Sequence, residues 1–177
     1  MITLVLGGAR SGKSRYAQAL AERAAEVVFL ATAQPCDDEM RVRIERHRQE
    51  RPATWKTVEV PLELESAVRK HGSRSSFLLI DCLTTFATNL MLMGNGNRDV
   101  IFAHIDRVCS ALRESSASAV IVSNEVGEGI IPSSEMGRHF RDLLGEINQR
   151  VARQSDNVIL MVAGYPMAVK GTVEVQP

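Results

Sequence analysis

The chain has no surplus of charge of either sign: 21 lysines and arginines balance 21 aspartates and glutamates. Overall charge therefore excludes a general nucleic-acid binder, although it leaves room for a local basic site. Cysteine is scarce. Cys36, Cys82 and Cys109 lie far apart and show no C-x-x-C spacing. That excludes a disulfide frame and a zinc site, and predicts buried thiols in a reducing cytoplasm. No long hydrophobic run is present. The N-terminal apolar run, residues 2–6, is far too short for a membrane span or a signal-peptide core. The expectation is a soluble, cytoplasmic protein. Internal repeats and interdomain linkers are also absent. A chain of 177 residues, 45% of them hydrophobic, fits one packed domain over residues 1–170. The tail, residues 171–177, has no clear pattern and is expected to be flexible.

What is there alternates between short apolar runs and amphipathic stretches. Strands are predicted at 2–6, 27–31, 57–60, 77–80, 119–123 and 158–163, the last firm strand. Helices are predicted at 14–25, 37–50, 62–70, 101–114 and 135–153. Residues 83–93 form an apolar segment read as core or subunit interface. Residues 94–97, Gly-Asn-Gly-Asn, read as a turn. Continuous apolar strands separated by helices predict an α/β fold, a mostly parallel sheet with helices on both faces.

Gly7, Gly8, Ala9, Arg10, Ser11, Gly12, Lys13 and Ser14 match G-x-x-x-x-G-K-[ST] in full. A strand leads in and a helix leads out, as a phosphate-binding loop requires. Glycines permit backbone angles that turn several N–H groups toward one point. The helix beginning near Lys13 adds the positive end of its dipole. Lys13 is expected on the β- and γ-phosphates, and Ser14 is expected to offer its hydroxyl to Mg2+. Residues 77–81, Phe-Leu-Leu-Ile-Asp, form an apolar run ending in an acid. Asp81 is read as a second Mg2+ ligand, direct or through water, with a helix N-cap as the alternative. No N-K-x-D motif for guanine appears, which argues against a switch GTPase. A small-molecule kinase fits better.

The segment from Asp37 to Pro52 is rich in charge. Met40, Ile44 and His47 share one helical face, and Arg46, Arg48 and Arg51 surround the histidine. Two readings stand: a solvated helix with pairs such as Arg41 and Glu45, or arginines that neutralise a triphosphate around a nucleophilic imidazole. Asn124 and Glu125 end a predicted strand, where ligands gather in open α/β sheets. Glu125 is read as positioning an acceptor hydroxyl or acting as base, against loop capping before Gly127 and Gly129. Arg138, His139 and Arg141 read as surface or subunit contact, and Trp55 as packing rather than base stacking.

Beyond the phosphate loop, ordered matches run from Met1 to about Lys170. They are A-T-A-Q at 31–34, D-D-E-M at 37–40 and R-I-E-R-H-R-Q-E-R-P-A-T-W at 43–55. D-C-L-T-T-x-x-T-N-L at 81–90, N-E-V-G-E-G-I-I-P at 124–132 and G-R-H-F-R-D-L-L-G-E-I-N-Q-R at 137–150 follow. With these the chain resembles the bifunctional adenosylcobinamide kinase/adenosylcobinamide-phosphate guanylyltransferase family of cobalamin biosynthesis. The resemblance implies phosphorylation of adenosylcobinamide by ATP or GTP. It implies next the transfer of GMP from GTP to that phosphate, giving adenosylcobinamide-GDP and pyrophosphate. The family passes GMP through a histidine, and His47 matches its position. Ala31, Thr32, Ala33 and Gln34, together with Arg48, Gln49, Glu50, Arg51, Glu59 and Asp81, match positions around the guanine nucleotide. Some relatives carry glutamate where this chain has Asp81. The resemblance further implies a RecA-type core, a homotrimer and a corrinoid substrate, while Asn124 and Glu125 are candidate substrate-binding residues from their strand-end position alone.

Overall fold

The computed structural model describes residues 1–35, 37–49, 51–94 and 96–173, with only the backbone of Arg43. The expectations placed on Cys36, Glu50, Asn95 and the last four residues of the tail lie outside the described residues.

Seven strands form one sheet. They are β1 (Ile2–Gly7), β2 (Glu26–Ala31), β3 (Lys56–Glu59), β4 (Ser76–Asp81), β5 (Ser118–Val122), β6 (Asn157–Val162) and β7 (Tyr165–Lys170). The helices are α1 (Lys13–Ala21), α2 (Asp38–Gln49), α3 (Leu64–His71), α4 (Leu83–Met93), α5 (Arg98–Glu114) and α6 (Glu135–Gln154). The spatial order is β3-β2-β4-β5-β1-β6-β7. All neighbours are parallel except β6 and β7. The α/β expectation of a mostly parallel sheet is met.

Side chains on a strand alternate between faces, so each apolar run feeds two cores. Leu4, Val28, Leu30, Leu78, Ile80, Ala119 and Ile121 pack under α3, α4, α5 and α6. Val5, Val27, Phe29, Leu79, Val120, Val122 and Ile159 face the other way, where Tyr16, Ala17 and Leu20 of α1 cover them. Burial of each such aliphatic side chain contributes about 1.5–3 kcal/mol before entropy is counted. Among the described residues, α2 supplies none to either core. Val42 on that helix is 70% exposed. Asp37 caps it, accepting from Met40 N–H at 2.7 Å, and Arg41 reaches back to Asp38 at 3.4 Å.

One strand was not foreseen. β7 continues beyond the predicted last strand and pairs antiparallel with β6, Val162 opposite Tyr165. The two-residue turn between them, Ala163 and Gly164, has φ of 51° and 90°, the left-handed geometry that closes tight hairpins. Pro166 is tolerated because β7 is the edge of the sheet. Among the described residues no helix is long and apolar enough to cross a membrane.

Candidate functional site

The phosphate loop connects β1 to α1. Gly12 precedes the helix at φ 99°, a left-handed conformation that favours glycine. Gly7 is closely enclosed: a Cβ there would lie 2.6 Å from the Met161 carbonyl oxygen and 2.7 Å from Ser11 Oγ. Ser11 N–H donates to the Gly8 carbonyl at 3.3 Å, and Gly164 N–H donates to the Ser11 carbonyl at 3.0 Å. The β6–β7 turn thereby braces the loop. Lys13 is buried and its ammonium donates to the Gly8 carbonyl. Ser11 Oγ is buried with no hydrogen-bond partner among the described residues. A buried hydroxyl of this kind costs free energy unless something else satisfies it, as a phosphate oxygen seated in the loop would. Ser14, half-buried, is the second residue of α1.

Strand register brings the other expected residues to the same end of the sheet. Ala31 is opposite both Glu59 and Asp81, and Asp81 is opposite Val122, itself opposite Val5. Gly7, Ala31, Glu59 and Asp81 thus share the C-terminal edge, and Asn124 and Glu125 follow β5 there. Glu59 is exposed. The N-cap of α4 is Cys82, so the N-cap alternative for Asp81 does not hold.

Thr32, expected near the nucleotide, has a fully buried side chain. Its hydroxyl accepts from Cys82 N–H at 2.8 Å, donates to the Cys82 carbonyl at 2.7 Å and touches the Thr85 hydroxyl. Its amide donates to the Asp81 carbonyl at 3.2 Å. Asn89 Nδ2 donates to the carbonyls of Thr32 and Pro61 at 2.8 and 3.0 Å. Thr32 therefore ties the ends of β2 and β4; Ala33, half-buried, and Gln34, exposed, follow it in the chain. Thr84, Thr85 and Asn89 were not singled out from sequence. Their signal is polar residues at helical spacing inside an otherwise apolar segment.

Glu125 is half-buried. Its N–H donates to the Gly7 carbonyl at 3.0 Å, and its carboxylate accepts from Asn148 Nδ2 at 3.3 Å. Burial raises its pKa, the Asn148 bond lowers it and the charge of Glu128 raises it.

His47 is half-buried near the end of α2, and Arg48 and Gln49 are exposed. Gln49 Nε2 donates to Glu45 at 3.3 Å. Past the helix, the Arg51 guanidinium lies over the Phe29 ring, 3.4 Å from its centroid. Its pKa is lowered by burial, raised by attraction to Asp81 and lowered by Arg48. Arg51 therefore joins the arginine-rich segment to the edge that carries Asp81. Arg51 Nε is buried without a partner among the described residues. Trp55 packs against the core beneath α1, as packing predicts. Arg138 donates to the carbonyls of Pro132 and Ser133 at 3.0 and 2.7 Å. His139 lies 4.0 Å from Glu135, and Arg141 lies 3.1 Å from Asp142. A groove of about 600 Å3 runs between α4 and α6, lined by Met91, Leu92, Arg98, Met136 and Leu143.

A glycine loop that opens a helix, with an acid at the end of a nearby strand of a parallel sheet, defines a P-loop nucleotide-binding protein. An ATPase from the type III secretion system of pathogenic bacteria shares the fold: TM-score 0.56, 11% identity, over 90% of this chain and 50% of that one. The chain spans half of that ATPase, and the likeness concerns the fold alone. The chain belongs to the cobinamide kinase / cobinamide phosphate guanyltransferase family, whose model matches residues 3–169. The bifunctional adenosylcobalamin biosynthesis protein CobU of Escherichia coli (strain K12) is 41% identical over 181 aligned positions, covering 96% of this chain and 100% of that one. The bifunctional adenosylcobalamin biosynthesis protein CobP of Pseudomonas aeruginosa PAO1 is 42% identical over 172 positions, covering 97% and 98%.

Proposed function

We propose that this enzyme phosphorylates adenosylcobinamide with ATP or GTP, then moves GMP from GTP to the new phosphate through His47. The observation that carries the reading is the shared edge. The phosphate loop, Asp81 and Glu125 meet at the C-terminal ends of parallel strands, in a chain matched by the family almost end to end.

The phosphate-loop amides and Lys13 orient the triphosphate and offset its charge. For phosphoryl transfer, an alcohol on the corrinoid attacks the γ-phosphorus beside Asn124 and Glu125. For nucleotidyl transfer, a neutral His47 nitrogen attacks the α-phosphorus. A P–N bond forms, the bond to the bridging oxygen breaks, and pyrophosphate leaves with the electron pair. The phosphate of adenosylcobinamide phosphate next attacks the same phosphorus, and His47 departs. The covalent step splits one displacement into two separate ones, each with its own leaving group. Arg48 and Arg51 offset charge on the transferring group, and Ala31, Ala33, Gln34, Gln49, Glu50 and Glu59 border the guanine nucleotide. Mg2+ fits this edge, because Ser14 and Asp81 offer hard oxygen donors near the phosphate loop. When bound, it neutralises charge on the phosphates. The working assembly in this reading is a cytoplasmic homotrimer, which light scattering at working concentration tests; a monomer counts against it.

The decisive experiment is incubation with GTP labelled at the α-phosphate, followed by a denaturing gel. The label stays on the protein, survives alkali and is lost in mild acid, as a phosphoramidate requires. His47→Asn abolishes labelling and GMP transfer, and leaves phosphorylation of adenosylcobinamide largely intact. A His47→Asn protein that still takes up label removes the histidine intermediate and leaves a plain small-molecule kinase.

A further inference from the structure

The residues that end β5 form a closed network which the nucleotide contacts above do not use. In the sheet, β5 lies between β1, which carries the phosphate loop, and β4, which ends in Asp81. Whatever follows β5 therefore stands between the triphosphate site and Asp81. Ser123, Asn124 and Glu125 follow it. The Asn124 N–H donates to Thr84 Oγ1 at 2.9 Å, and the Glu125 N–H donates to the Gly7 carbonyl at 3.0 Å. The backbone is thus fixed from both sides.

The side chain of Glu125 is fixed from a third direction. Asn148, on α6, is 5% exposed. Its Nδ2 donates to the Asn124 carbonyl at 3.0 Å and to Glu125 Oε1 at 3.3 Å. Its Oδ1 accepts from the hydroxyl of Ser123, itself fully buried, at 2.7 Å. A primary amide has one accepting oxygen and one nitrogen with two protons. Half a turn of the amide would set its oxygen against a carbonyl and a carboxylate, neither of which donates. The Asn124 carbonyl and the Glu125 carboxylate, which only accept, therefore select the orientation that aims the amide protons at them, and the Ser123 hydroxyl donates to the amide oxygen. Leu144, Ile147 and Val151 flank Asn148 in the core, so packing alone is served by an apolar residue. Buried polar groups are costly unless fully bonded, and here every bond leads to the segment holding Glu125.

We propose that Asn148, held by the Asn124 carbonyl and the Ser123 hydroxyl, is a positioning residue that holds Glu125 beside the phosphate loop as the general base of phosphoryl transfer. The inference rests on the kinase activity proposed above. Glu125 takes the proton of the attacking alcohol, and the alcohol oxygen bonds to the γ-phosphorus. The bridging P–O bond breaks, and the nucleoside diphosphate leaves with the electron pair. The proton then passes from Glu125 to solvent. GMP transfer has no such requirement, since a neutral imidazole nitrogen and a phosphate oxyanion attack without losing a proton. The two activities therefore separate the role.

The experiment measures both activities in wild type, Asn148→Ala, Glu125→Gln and the double variant. Glu125→Gln lowers kcat of phosphoryl transfer by about a hundredfold or more, the usual contribution of a general base. Asn148→Ala lowers it about tenfold, with KM for nucleotide unchanged and GMP transfer to supplied adenosylcobinamide phosphate within about threefold of wild type. In the double variant the Asn148 change adds nothing, because its effect runs through Glu125. Ser123→Ala gives the same selectivity at smaller size, and it decides the matter if Asn148→Ala does not fold. Parallel loss of both activities, or losses that multiply in the double variant, overturns the proposal. A wild type that phosphorylates adenosylcobinamide but is indifferent to Glu125→Gln overturns this inference alone. A wild type with no phosphoryl transfer overturns the kinase reading and the inference with it.

Discussion

Replacing Thr32 by valine keeps the shape of a fully buried side chain and removes one hydroxyl. That hydroxyl is the 2.8 Å acceptor for Cys82 N–H and a 2.7 Å donor to the Cys82 carbonyl. After the substitution the carbonyl keeps Thr85, which donates to it at 3.0 Å. The amide keeps only a 3.5 Å contact with the same Thr85 hydroxyl. A buried donor left without a good partner costs about 1–3 kcal/mol, and a lost hydrogen bond about 0.5–1.5 kcal/mol. The expected loss is about 2–4 kcal/mol, with the amide as its larger part. At about 2–4 °C per kcal/mol for a domain of this size, Tm falls by roughly 5–15 °C. Thr32→Ser is the control: it keeps the hydroxyl and loses a methyl, for about 1 kcal/mol. Melting at fixed protein concentration, with and without nucleotide, reads the effect. Activity falls as well, since the Thr32 hydroxyl holds the Cys82 backbone that directly follows Asp81. A Thr32→Val protein as stable as wild type, or a Thr32→Ser protein less stable than Thr32→Val, refutes the reasoning.

Lys13→Ala lowers both activities by about 2–4 kcal/mol of transition-state stabilisation, roughly thirtyfold to a thousandfold; a wild-type steady-state rate in either reaction takes Lys13 out of that step. Asp81→Asn raises the Mg2+ concentration needed for half-maximal activity without lowering Tm, and an unchanged Mg2+ titration counts against a metal ligand there. Asp156 has a lowered pKa because Ile2 N–H donates to it, with Arg113 adding to the effect. Its contribution is fully present above the ordinary value of 3.8 and is lost as pH falls through the lowered folded value. The stability gap between wild type and Asp156→Asn is therefore flat at neutral pH and closes under acid unfolding. A gap that widens on acidification shows the sign to be wrong.

The parts of this fold legible in sequence are those where one short segment carries its own cause. The phosphate loop declares itself because Gly7 and Gly12 have conformations and clearances that favour glycine, beside a continuous apolar strand. The parallel core strands declare themselves because both their faces are covered. β7 did not, since Tyr165, Met167 and Val169 are exposed and the strand depends on backbone pairing and on the Ala163–Gly164 turn. The order of strands was equally hidden. Nothing within residues 118–125 says that they lie between β1 and β4, yet that order sets Glu125 against Gly7. The ties of Thr32 to Cys82 and of Asn148 to Glu125 span 50 and 23 residues. Each partner alone reads as an ordinary polar residue near an apolar one.

For α2 the composition left two readings open, and packing is nearly silent. Met40 and Ile44 are only half-buried, and no described residue of the helix belongs to either core. A helix of 12 residues is marginal in isolation. The Asp37 cap, local side-chain pairs and the seating of Arg51 over Phe29 hold it in place. Its arginines and histidine therefore owe their presence to something other than the core. For variants this has a practical consequence: His47→Asn removes no contact with either core, so the variant is expected to stay folded, which its melting temperature checks. Loss of GMP labelling in that variant then reports the chemistry of one imidazole rather than damage to the fold.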